Sequence, residues 1–185
     1  MKLATHNSGT GERSGGWARL FSIFAICQSK SIVGQYDAGA RLFDIRIRKN
    51  SKGQWVFAHG LWESEKPVGY ALSDLNLAAY KKGEKATVMV TYEGYCNDKA
   101  SFMDEVSSWD CYSWIDVADV CVKKPKWRTL ARYKNVPYAQ CFRVLDWSSW
   151  HTLLPIPILW HKVEGRKHLI NCEESDNVYR MVDFL

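Results

Sequence analysis

The 185-residue chain lacks any Cys-x-x-Cys pair, although it holds six cysteines: Cys27, Cys96, Cys111, Cys121, Cys141 and Cys172. That spacing argues against a zinc ribbon or a thioredoxin-like redox motif. It also lacks an apolar run near the roughly 18 residues that a membrane-spanning helix needs. The nearest approach, residues 17–27, is interrupted by Arg19 and Ser22. Its apolar residues occupy nearly every helical face, so it reads as a buried helix in preference to one dipping into an interface. No basic stripe is present. Lys81, Lys82 and Lys85 form one local cluster, and Lys123, Lys124, Lys126 and Arg128 another. Both are expected to be solvated loops, so no nucleic-acid partner is expected. Internal repeats, low-complexity tracts and linkers are missing, which predicts a single domain over residues 1–185. Nothing at the N-terminus resembles a secretory leader. The expectation is a cytoplasmic setting with reduced thiols, or a secreted or membrane-associated one where a leader has been removed. A monomer is expected.

What the chain does contain is ordinary for a globular protein in hydrophobic (46%) and charged (24%) content, and rich in rings, with nine Trp and nine Tyr. Its formal charge of +5 favours anionic partners such as phosphate esters or acidic membranes. Short β-branched runs alternate with helical stretches. Strands are expected at 2–5, 40–48, 54–58, 86–92, 117–122, 140–145, 157–160 and 178–184. Helices are expected at 31–38 with Ser31 as N-cap, at 71–82 with Gly83 as stop, and at 101–112. In the second strand Leu42, Asp44 and Arg46 share one face while Phe43, Ile45 and Ile47 share the other. Alternating strands and helices imply an α/β fold with a mostly parallel sheet. Polar residues at the strand ends, His6, Arg46, His59 and Glu93, suit the mouth of a TIM-type (β/α) barrel. The chain is short for that architecture, so the barrel is expected to be small, irregular or incompletely closed.

Four separated segments make a coherent chemical set: Thr5-His6-Asn7-Ser8-Gly9, Gly39-Ala40-Arg41-Leu42-Phe43-Asp44-Ile45-Arg46, Phe57-Ala58-His59-Gly60 and Tyr92-Glu93-Gly94. Two imidazoles suit phosphodiester cleavage, where one base and one acid must both work near neutral pH. In this order the segments resemble the catalytic half of the phosphatidylinositol-specific phospholipase C superfamily, and Arg180-Met181-Val182-Asp183-Phe184 resembles its final barrel strand. The resemblance implies a phosphodiesterase that forms a cyclic phosphate. His6 would be the base that activates a neighbouring hydroxyl, and His59 the acid on the leaving alkoxide. Arg46 would clamp the phosphate oxygens, and Asp44 and Asp183 would orient the histidines or the hydroxyl. Glu93, Trp62 and Asp146 are candidate substrate contacts. Trp17, Trp62, Trp147 and Trp150 are candidates for a rim in peripheral contact with a membrane. His151, His161 and His168 match no motif and are expected to be structural or on the surface.

The metal question separates two branches of that superfamily. Eukaryotic-type members carry acidic residues where this chain has Arg46, and bind Ca²⁺, a cation that wants about six to eight oxygen ligands. Bacterial-type members carry Arg there. This chain has the Arg yet keeps Asn7, Asp44 and Glu93 as the candidate donors if calcium is used; the expectation is no cofactor. The substrate is expected to be a phospholipid or a soluble phosphodiester. Two other readings remain: a metal-dependent glycerophosphodiester phosphodiesterase or sphingomyelinase D-like enzyme, and a non-catalytic module that binds inositol phosphate or lipid. Asp44-Ile45-Arg46 lacks the second metal carboxylate that the first requires, and binding alone does not require an acid and a base.

Overall fold

The computed structural model describes residues 2–94, 99–122, 142–143 and 179–182. These form a mixed α/β structure on one eight-stranded sheet. Its strands are β1 (Lys2–Thr5), β2 (Ala40–Lys49), β3 (Trp55–His59), β4 (Trp62–Pro67), β5 (Ala86–Tyr92), β6 (Ile115–Cys121), β7 (Phe142–Arg143) and β8 (Tyr179–Val182). Six of them run parallel in the order β7-β8-β1-β2-β5-β6. As the sequence suggests, the last strand lies beside the first, with Thr5 opposite Val182. The small, irregular or incompletely closed barrel expected from the sequence is seen in part: the α/β sheet is present, and closure is not shown among the described residues. Among those residues β6 pairs only with β5, and β7 only with β8.

The alternation in β2 separates an apolar face from a charged one. Phe43, Ile45 and Ile47 enter the core with Val88 and Val90 of the neighbouring β5. Against them packs helix α3 (Val68–Lys82), whose Val68, Ala71, Leu72, Leu75 and Ala79 recur at the three- and four-residue spacing of one helical face. Gly83, in the left-handed conformation at φ 68°, ends that helix. On the other face of β2, Leu42, Asp44 and Arg46 point away from this core. All three are nevertheless buried, which commits the protein to satisfying two charges there.

The expected third strand is present, and it is an antiparallel member of the mostly parallel sheet. β3 runs antiparallel to β2, with Ile47 opposite Phe57 and Lys49 opposite Trp55, and turns into β4, which the sequence reading omitted. The Trp-Glu-Ser-Glu-Lys-Pro composition of β4 conceals a strand because only alternate residues, Trp62 and Ser64, are buried. This hairpin creates the geometry that matters. β5 occupies one edge of β2 from Leu42 to Ile47. β1 and β3 therefore share the other edge, β1 beside Leu42 and Phe43 and β3 beside residues 47–49. The two approach head to head and leave Asp44–Arg46 between their ends. His6 follows β1, and His59 ends β3.

Other helical segments depart from expectation in detail. The span at 101–112 divides into α4 (Lys99–Ser107) and a short 3-10 turn (Ser108–Cys111), and α2 (Ile32–Asp37) starts at the expected cap, Ser31 Oγ accepting from Gly34 N–H. Residues 17–27 are not a buried helix. They form a 3-10 turn (Gly16–Phe21) and the single turn α1 (Ser22–Ala25). The 3-10 repeat aligns residues three apart, so Trp17 and Leu20 fall on one edge, 83% and 65% exposed. No helix among the described residues is long and apolar enough to cross a membrane. The expected strand at 157–160 lies outside the described residues.

Candidate active site

The gap between β1 and β3 collects His6, Asn7, Asp44, Arg46, His59 and Glu93. Close packing of two motifs sets it up: a Cβ on Gly9 would fall 2.3 Å from the ring of Phe57, so the loop after His6 can lie on β3 only with glycine there. Gln28 donates from Nε2 to the His6 carbonyl at 3.0 Å, and Gln35 donates likewise to the Ser8 carbonyl at 2.8 Å. The backbone of the first histidine is thus held by Gln28, and the loop that follows it by Gln35. Arg46 Nη2 lies 3.4 Å from His6 Nε2. A guanidinium can only donate, so Nε2 is the acceptor nitrogen of the ring. The same nitrogen lies 3.8 Å from Asp44 Oδ2, which would stabilise a proton gained there.

Glu93 completes the charge pattern from the opposite edge of β2. Its Oε2 lies 3.6 Å from Arg46 Nη1, and its Oε1 accepts from Gly60 N–H at 2.9 Å. One carboxylate therefore fixes both the guanidinium and the turn that follows His59. Arg46 and Glu93 are both buried, so each charge offsets part of the other's desolvation. His59 Nδ1 lies 2.7 Å from the Ala25 carbonyl oxygen. A carbonyl only accepts, so Nδ1 carries the proton and Nε2 is left to the site. Burial, and then the positive charge of Arg46, lower the pKa of His59 from 6.5 to about 4. In the ligand-free protein at neutral pH this imidazole is uncharged.

Asn7, Asp44 and Glu93 are the donors expected for calcium. Among the described residues no group of three or more His, Cys, Asp or Glu side chains could hold a metal ion. Glu93 is turned onto Arg46 and Gly60, one oxygen 3.6 Å from the guanidinium and the other accepting the amide N–H. A shell of oxygen ligands does not fit that arrangement.

The fold has counterparts among solved structures. Phosphatidylinositol-specific phospholipase C from Listeria monocytogenes superposes with a TM-score of 0.57 at 12% identity, over 100% of this chain and 88% of that one. The chain is similar in fold to this phosphatidylinositol-specific phospholipase C. The Staphylococcus aureus phosphatidylinositol-specific phospholipase C matches with a TM-score of 0.43 at 17% identity, over 74% of this chain. This chain spans only 36% of that protein's length. A second structure of the S. aureus enzyme, solved in work on its membrane binding, gives a TM-score of 0.40. No protein-family model matches the chain, and no curated protein sequence matches it.

Within this phospholipase C fold, the sequence-based candidates His6, Arg46, Asp44, His59, Glu93 and Asn7 come together. Trp62 does not: it is fully buried in the apolar core, which removes it both as a substrate contact and as part of a membrane rim. The strand pattern of β4 turns its indole inward, a consequence of the unrecognised hairpin. Asp183, Asp146, Trp147, Trp150, His151, His161 and His168 lie outside the described residues. Sequence reasoning missed the Ala25 carbonyl, Cys27, Gln28 and the Gly60 amide. The first and last are backbone groups with no side-chain signal, and the other two act across more than 15 positions of chain.

Proposed function

We propose that the chain is a metal-independent phosphodiesterase of the phospholipase C type, acting on an inositol-type phospholipid or a related soluble diester. The observation that carries this reading is the guanidinium of Arg46, tied at once to His6 and to Glu93 in the gap that His59 closes. In the proposed reaction, His6 Nε2 takes the proton of the hydroxyl adjacent to the phosphodiester, and Asp44 stabilises the resulting imidazolium. The freed oxygen attacks phosphorus while Arg46 holds the non-bridging oxygens and the charge that builds on them. The bond to the leaving oxygen breaks as His59 delivers a proton to it. The products are a cyclic phosphodiester and an alcohol.

His59 must gain its proton before it can give it. The phosphodiester anion supplies the reason, since its negative charge beside the imidazole offsets Arg46 and raises the pKa toward the working range. The exposed Trp17, Leu20 and Leu61, the last on the turn after His59, support peripheral contact with a lipid surface. The test is turnover of phosphatidylinositol in mixed micelles by the wild type, His6→Ala and His59→Ala, with and without EDTA. Each variant is expected to lose roughly 10²–10⁴-fold in rate, the usual scale for a general acid or base. Chelator is expected to change nothing. Activity retained in both variants sinks the reading, and a protein that binds inositol phosphates without turnover is a binding module instead.

A further inference from the structure

Asn7 adopts a left-handed backbone conformation at φ 46° and ψ 47°, the one non-glycine residue with positive φ among those described. Asn tolerates that region better than most side chains, and it is still uncommon. The backbone here is fully engaged: the N–H lies 3.5 Å from Asp44 Oδ2, and the carbonyl accepts from Thr10 N–H at 2.9 Å and from its hydroxyl at 2.7 Å. The side chain is engaged by half. Nδ2 donates to Cys27 Sγ at 3.4 Å, whereas Oδ1 has no hydrogen-bond partner in a residue only 1% exposed. A buried amide oxygen without a donor is costly and uncommon in folded proteins.

Cys27 explains how the amide is oriented. Its thiol is directed at the Ala25 carbonyl at 3.5 Å, the same oxygen that holds His59 Nδ1. With its proton committed there, the sulfur offers Asn7 only lone pairs. That puts Nδ2 on the sulfur and turns Oδ1 away from it. The Thr10 hydroxyl accepts from Cys27 N–H at 2.9 Å and pins the cysteine backbone to the same loop.

We propose that Asn7 Oδ1 accepts a hydrogen bond from a hydroxyl of a polyol head group, with Cys27 as the positioning residue that aims it. The inference rests on the phosphodiesterase reading and adds head-group selection to it. Chemistry chooses the hydroxyl: a phosphodiester monoanion presents acceptors alone, so an acceptor oxygen in the site finds its complement only in the alcohol part of the substrate. Asn7 then discriminates against head groups without a hydroxyl, because they leave a buried acceptor without a donor.

The experiment measures affinity by calorimetry for two probes, myo-inositol 1-phosphate and inorganic phosphate. Asn7→Gly keeps the left-handed backbone and removes the amide. It is expected to reduce the preference for the inositol phosphate roughly 10-fold, the scale of one hydrogen bond, while phosphate binding is unchanged. Asn7→Asp retains an acceptor oxygen, so the ratio between the probes is expected to persist even as its charge weakens both. Cys27→Ala is expected to lower the ratio in the same direction and by less. A ratio unchanged in Asn7→Gly, or equal weakening of both probes, overturns the inference and leaves the proposed reaction standing. A wild type that binds neither probe removes the phosphodiesterase reading, and this inference with it.

Discussion

Lowering the pH from 7 to 4 should destabilise the protein through His59 in particular. The unfolded imidazole titrates near 6.5 and the folded one at about 4. Above pH 6.5 the ring is neutral in both states and its titration does not oppose folding. Between 6.5 and about 4 the unfolded chain takes up a proton that the folded chain refuses, so stability falls with pH across that window. Below about 4 the loss is complete. At about 1.4 kcal/mol for each pH unit between the two values, the full loss is roughly 3 kcal/mol. Urea unfolding of the wild type and His59→Gln at several pH values between 4 and 7 measures it. Glutamine can still donate to the Ala25 carbonyl but cannot titrate, so the variant should lack that part of the slope. Histidine NMR should show His59 neutral at pH 5.5 in the free protein, and titrating at higher pH once a phosphate ester is bound. A His59 that titrates near 6.5 in the free protein, or equal slopes for wild type and variant, would refute the argument that burial and Arg46 hold this ring neutral.

Further outcomes follow from the same geometry. Arg46→Met should reduce turnover of phosphatidylinositol roughly 10²–10³-fold, as expected for the loss of a preorganised donor to developing charge, and added calcium should not restore it. Glu93→Gln keeps an acceptor for Gly60 N–H but leaves the buried guanidinium with one fewer anion; denaturant unfolding should show a loss of about 3 kcal/mol, with His59 titrating lower still. Trp62→Ala should cost about 3–5 kcal/mol by opening a cavity in the core, read as a lower unfolding midpoint. Trp17→Ala should leave that midpoint unchanged while weakening sedimentation with vesicles of anionic phospholipid; tight vesicle binding by this variant counts against contact through that edge.

Much of the site could be read from the sequence because it is carried by side chains at strand ends. The alternation of Phe43, Ile45 and Ile47 with Asp44 and Arg46 gave both the buried face and the charged one, and Ser31 and Gly83 marked helix ends where the structure has them. Sequence reading failed where local pattern and tertiary context part. β4 has the composition of a loop, yet it is a strand because β3 supplies its hydrogen bonds and Trp62 its anchor. Residues 17–27 have the composition of a core helix, yet the 3-10 geometry sends Trp17 and Leu20 outward. His59 ends the third strand as the sequence suggests, and the antiparallel return of that strand along β2 carries it toward the end of β1. Its tautomer is fixed by the backbone carbonyl of Ala25, a contact 34 positions away that no residue type announces.

In the proposed reaction His6, Arg46 and His59 break a phosphodiester through a cyclic product without a metal. ³¹P NMR of the protein incubated in EDTA with phosphatidylinositol, and separately with glycerophosphoinositol, tests it most directly. The signal of a five-membered cyclic phosphodiester is expected to grow in for at least one of the two substrates, and to be absent with His6→Ala. An acyclic phosphate formed with no cyclic signal at any time, or no turnover of either substrate, would contradict it.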